Sequence, residues 1–127
     1  MAQSDRAFTA IERSLLEFLV DGTWDGRKAA LAQIGVGRHG GAWGPDDPSF
    51  HNVVPTSAPR LDVADGVLAV SDRIVLDEAG RAAVGGVMLW VKDGRIDDFE
   101  HYRFDARPAT LPATSRVVPW EDPRSIG

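Results

Sequence analysis

Asp97, Asp98, Glu100, His101, Tyr102 and Arg103 crowd into one short segment. A carboxylate beside histidine and tyrosine is equipment for acid–base chemistry if a cleft encloses it. The same residues also describe a solvated sheet face with cross-strand ion pairs to Lys92 or Arg95. Nothing in their spacing marks a reaction centre, so the solvated face is the expectation. His39, His51 and His101 are the three histidines of the chain. With Asp46, Asp47 or Glu100 they supply the ligand types of a two- or three-histidine metal site. No pair has helical i, i+4 spacing and there is no H-E-x-x-H, so no metal is assigned. His39 is expected in solvent and His101 beside Phe99 on a strand. Convergence of the three is a question for the tertiary structure.

Gly35-Val36-Gly37-Arg38-His39-Gly40 matches G-x-G-x-x-G by letter. A dinucleotide site needs a strand before that loop and a helix after it. Here the preceding residues read as helix, and Gly41-Ala42-Trp43-Gly44-Pro45 cannot open one, so a flexible surface loop is expected and no cofactor is assigned. No G-x-S-x-G, S-x-x-K or phosphate loop occurs, and no catalytic residue is assigned. Trp43 lies in the glycine-rich loop, where it either folds down as a lid over the sheet or stays exposed and marks a contact surface. Trp90 sits mid-strand and is expected in the core. The candidate binding residues are therefore Trp43, His51, Glu100, His101 and Tyr102.

The elements that must position these groups come from the pattern of apolar residues. Phe8, Ile11, Leu15 and Leu19 recur at helical spacing and predict a helix over Arg6–Val20. It starts either at Ser4 or at Thr9, whose partner Glu12 completes a capping box. A second, shorter helix is predicted over Asp25–Ile34, ended by Gly35. The short loop between them makes a helical hairpin. Gly35–Pro48 is too rich in glycine and proline for a helix or a central strand. Ser49–Pro55, Val67–Val75 and Ala82–Lys92 read as strands, and Glu78-Ala79-Gly80 as a turn. Asp93-Gly94 is the favoured pair for a two-residue type I′ turn, and Ile96–Phe104 returns from it. Ile96 and Phe99 are out of phase for a strict strand, and a bulge at Asp97-Asp98 puts both on one side. Gly85-Gly86 predicts a bulge or a close approach.

The chain has 127 residues, which suits one domain. Its net charge of −5 disfavours nucleic acid, whose phosphates demand cations. No apolar run is long enough to span a membrane, and no secretory signal is visible. Cysteine is absent, which removes disulfides and thiol chemistry and fits the cytoplasm. Pro108, Pro112, Pro119 and Pro123 break the last residues into an extended tail, on which Val117, Val118 and Trp120 are the docking candidates. The expected organisation is one domain over residues 1–106 and a proline-rich tail over 107–127.

The two stretches Leu15–Val54 and Gly85–Ala113 together resemble a group of small uncharacterised actinobacterial proteins. That group has a leucine-rich helix, a cysteine–glycine loop and a closing hairpin of the form FVxDGRLxxLExYxYD. Here the loop carries Gly37-Arg38-His39-Gly40-Gly41 without cysteine, so no thiol or metal role transfers. The resemblance implies helices against an antiparallel sheet. The last strand pair also resembles small SnoaL-like, NTF2-related proteins, which implies a curved cone as the alternative fold.

The fold class expected is α+β, a helical hairpin on one face of a three- to four-stranded antiparallel sheet. The function expected is a non-catalytic protein-binding or regulatory module. The alternative is a ligand-binding protein or enzyme with a pocket between helices and sheet. Self-association through an edge strand at Ser49–Pro55 is the third reading.

Overall fold

The computed structural model describes residues 5–105 and 110–126. Helix α1 spans Ala10–Leu19 and α2 spans Arg27–Val36. Seven strands follow among the described residues: β1 (Arg38–Ala42), β2 (Phe50–Val53), β3 (Gly66–Val67), β4 (Arg73–Leu76), β5 (Ala83–Lys92), β6 (Arg95–Arg103) and β7 (Val117–Val118). They form one antiparallel sheet in the order β1-β2-β6-β5-β4-β7, with β3 also paired to β5. The class is α+β, as expected, but the sheet is larger than three or four strands. Among the described residues no third α-helix follows α2, and the chain continues as β1 and β2. No helix among the described residues is long and apolar enough to cross a membrane.

Of the two competing starts for the first helix, Thr9 prevails. Its hydroxyl accepts from the Glu12 amide at 3.1 Å, and the Glu12 carboxylate accepts from the Thr9 amide at 2.9 Å. Residues before Thr9 cannot join the helix because Arg6 is bridged to His39, exchanging both backbone hydrogen bonds. That bridge also covers part of the free edge of β1. The Arg6 guanidinium grips both Glu12 oxygens at 2.8 Å. Burial pushes the Glu12 carboxyl up, but Arg6 and the Thr9 amide outweigh it and hold it below its usual range.

Helix α2 runs through Gly35 to Val36, two residues beyond its expected end, because tertiary contacts anchor its last turn. Gln33 is fully buried. Its amide donates to the carbonyls of Pro59 (2.7 Å) and Gly94 (2.9 Å) and accepts from the Ile96 amide (2.8 Å). One side chain thus ties α2 to the turn between β5 and β6. At that turn Asp93 has φ 51° and Gly94 φ 74°, the two positive values a type I′ turn requires.

Leu15, Leu16 and Leu19 of α1 and Ile34 of α2 share a core with Leu89 of β5 and Phe99 of β6. The bulge on β6 is where the phase of the sequence demands it. Pairing passes from Trp90–Asp98 to Val91–Ile96, leaving Asp97 as the extra residue. Ile96, Phe99 and His101 therefore face the helices, and Asp98, Glu100 and Tyr102 face outward. The close approach at the paired glycines is also present. A Cβ on Gly85 would collide with the Tyr102 carbonyl oxygen, so the two backbones meet there.

Three expectations about the strands need correction. The stretch Val67–Val75 is broken by a 3₁₀ turn at Ala69–Ser71. Buried Ser71 makes the break tolerable: its hydroxyl donates to the Leu68 carbonyl at 2.6 Å and accepts from the Leu89 amide at 2.8 Å, standing in for ladder bonds. The Ser49–Pro55 strand is not an edge, since β2 lies between β1 and β6. Self-association through it therefore has no free ladder to use. The end of the chain is more than an extended tail. Strand β7 pairs with β4, Arg116 donates to the Leu76 carbonyl at 2.9 Å, and Val118 joins Ile74 and Leu76 in a second small core. The expected boundary between residues 106 and 107 lies outside the described residues.

Candidate functional site on the outer face of the sheet

One row of side chains crosses four strands on the face away from the helices. Pairing sets His51 of β2 beside Asp98 of β6, Asp98 beside Trp90 of β5, and Trp90 beside Val67 of β3. Trp43 joins from the loop between β1 and β2. That loop is held by three bonds: Trp43 amide to Ser49 carbonyl (3.0 Å), Asp47 amide to Gly44 carbonyl (3.2 Å) and Ser49 amide to the Asp47 carboxylate (2.9 Å). The glycine-rich stretch is therefore part strand and part bonded loop, not a flexible connector.

Asp98 is the hub. Its Oδ1 accepts from Trp43 Nε1 at 3.1 Å and lies 2.6 Å from His51 Nδ1. Two residues further along β6, Glu100 Oε1 accepts from Trp90 Nε1 at 2.9 Å. Each indole is thus tethered by its N–H while the ring stays half in solvent: Trp43 is 41% and Trp90 37% exposed. Between them opens a cleft of about 470 Å³, lined by both tryptophans, Asp65, Gly66, Val91, Lys92, Asp97 and Asp98.

Asp97 and Asp98 are adjacent carboxylates at the bulge. Partial loss of water raises the Asp97 pKa, and the charge of Asp98 with a hydrogen bond between the two raises it further. Lys92 and His51 pull the other way.

The candidate binding residues divide by face. Trp43 lines the cleft. His51 and Glu100 hold its walls from behind, through Asp98 and Trp90. Tyr102 is on the same face, farther along β6, with its hydroxyl over Gly86 and its pKa raised by burial and by Asp72 and Glu100. His101 points the opposite way. It is 6% exposed, neither ring nitrogen has a hydrogen-bond partner among the described residues, and burial with Arg103 and Arg116 nearby lowers its pKa to about 4. The acid–base group of β6 is therefore split across the sheet and does not assemble.

His39 is not in solvent as expected. It stacks on Phe50 with ring centroids 4.4 Å apart, and its Nδ1 accepts from the Gly41 amide at 3.0 Å. Burial, then Arg6, lowers its pKa against the opposing pull of Glu12. The three histidines do not converge: His51 is outward, His39 and His101 are buried. Among the described residues no group of three or more His, Cys, Asp or Glu side chains is placed to hold a metal. The G-x-G-x-x-G stretch runs from the end of α2 into β1, helix before strand, the reverse of a dinucleotide loop.

No family model, curated protein or solved structure matches this chain. Function must be read from the site itself. Sequence reasoning missed Trp90, which was expected in the core. The signal was present: Leu89 and Val91 are apolar neighbours on either side, and strand alternation puts Trp90 on the face opposite to both.

Proposed function

We propose that this chain is a non-catalytic binding module whose working surface is the outer sheet face around Trp43 and Trp90. The observation that carries this reading is the pair of half-exposed indoles, each held by its N–H to a carboxylate. A large aromatic ring kept rigid on the surface binds with little loss of side-chain entropy. The fold has helices to cover only one face, and these rings occupy the other.

The separation of His101 from Glu100 and Tyr102 argues against a reaction centre on β6. Ser49, the serine nearest to His51 in sequence, spends its hydroxyl on the backbone of His101. A pocket between helices and sheet has little room, since Leu16, Leu19, Leu89 and Phe99 fill that space at 0–1% exposure. The likeness to the actinobacterial group belongs to the same proposal, because its hairpin motif covers the strands that build this face. A cysteine-free chain is compatible with the reducing cytoplasm, where we set this activity.

The test is comparative. Immobilised protein and a Trp43→Ala, Trp90→Ala double variant are offered the same native extract. The expected result is a protein partner retained by the parent chain and depleted at least about tenfold from the variant, with both chains folded by circular dichroism. Equal retention by the two, or none by the parent, overturns the reading.

A further inference from the structure

Given the binding surface argued above, we propose that the cleft between Trp43 and Trp90 takes a cationic side chain, an arginine or lysine of a basic polypeptide.

The reason is an inventory of donors and acceptors. Asp65, Asp97 and Asp98 line the cleft against one ammonium, that of Lys92. The two indole N–H donors are already spent, Trp43 on Asp98 and Trp90 on Glu100. What remains is two aromatic faces, carboxylate oxygens that only accept, and the single Lys92 ammonium. Ammonium and guanidinium groups only donate, and they are attracted to aromatic faces. A sugar would also stack on the indoles, but its hydroxyls need donors as well as acceptors, and with both indole N–H groups committed the side chains of the lining offer only the Lys92 ammonium as donor. A second copy of this chain is a poorer match, since it carries the same net charge of −5. The chain carries a net charge of −5, which adds a long-range attraction for a basic partner.

The adjacent carboxylates point the same way. Asp97 and Asp98 sit side by side at the bulge, and a bound cation relieves their repulsion. Lys92 is on the neighbouring strand, and His51 and Asp65 face the pair from β2 and from the segment before β3. Electrostatic and stacking contributions together make the site selective for charge.

Calorimetric titration of the whole chain decides this, using an arginine tetrapeptide, a glycine tetrapeptide and cellotetraose as probes. The arginine peptide is expected to bind at least about tenfold tighter than the glycine peptide. Asp97→Asn and Asp98→Asn are each expected to weaken it about fivefold, and salt near 0.5 M to weaken it further. Asp97→Asn is the cleaner variant, because Asp98 also orients Trp43 and His51. Cellotetraose binding tighter than the arginine peptide overturns the cationic occupant, as do carboxamide variants that bind like the parent or a parent chain that dimerises through this face in sedimentation. If arginine binding fails while Trp43→Ala still abolishes retention of a partner from extract, the occupant is wrong and the binding surface stands. If both fail, the surface reading falls with it.

Discussion

The two faces of β6 carry similar residues and use them in opposite ways. On the inner face His101 is buried and without a hydrogen-bond partner among the described residues, and burial with Arg103 and Arg116 keeps it neutral. On the outer face Asp98 and Glu100 are partly exposed and each holds an indole N–H, and Asp98 also meets His51 of the neighbouring β2. A polar group inside spends stability, whereas a polar group outside orients an aromatic ring for a ligand. Gln33 shows the third possibility: buried, but with donors and acceptor all satisfied. Inner-face changes should therefore alter folding and leave binding intact, and outer-face changes should do the reverse.

The largest effect is expected from Gln33→Ala. It strands the Ile96 amide and the Pro59 carbonyl, while the Gly94 carbonyl keeps the Leu61 amide, and with the cavity it leaves should cost about 4 kcal/mol in urea unfolding. Gly85→Ala should follow at about 3 kcal/mol, since its new Cβ meets the Tyr102 backbone rather than a movable side chain. Either variant, where folded, is expected to bind the arginine peptide like the parent. A weakened affinity would erase the division between the faces.

His101 supplies a pH test. Its pKa in the folded chain is about 4, below the ordinary 6.5, so between those values the unfolded chain holds the proton and the folded chain does not. Stability is complete above about 6.5 and falls as pH drops toward 4, by about 3 kcal/mol from this residue. His39 is depressed too and adds in the same direction. His101→Leu should flatten the acid limb of the stability curve without removing it. An unchanged limb would mean that the ring finds a partner when protonated.

The smallest stability changes belong to the outer face. Trp43→Ala should cost less than about 1 kcal/mol in unfolding, while abolishing calorimetric binding. Asp97 has a raised pKa, so its charged form is disfavoured in the folded chain. Asp97→Asn should therefore raise the melting temperature slightly near neutral pH. Binding of the arginine peptide should fade as pH drops through the raised Asp97 range, because the cleft then loses a charge. Binding that strengthens on acidification contradicts a cationic occupant.

Much of the site was legible from local chemistry. Asp93-Gly94 predicts the turn, the Ile96–Phe99 spacing predicts the bulge, and the two together set Glu100 outward and His101 inward. Thr9 and Glu12 predict the helix start. Two indoles sharing one cleft were not legible, because Trp43 and Trp90 are far apart in the chain and meet only through the β2–β6 and β5–β6 pairings.

Residue by residue, the amino-acid order determined the hairpin, its bulge, the capped first helix and the alternation that sorts side chains between two faces. Those depend on backbone angles and periodicities that act over a few residues. Only the folded chain decided that glycine-rich Arg38–Ala42 and the two valines at 117 and 118 are strands, that His39 is buried, and that two tryptophans frame an acidic cleft. Short segments of weak propensity take their conformation from the strand beside them, and that neighbour is supplied by distant parts of the chain.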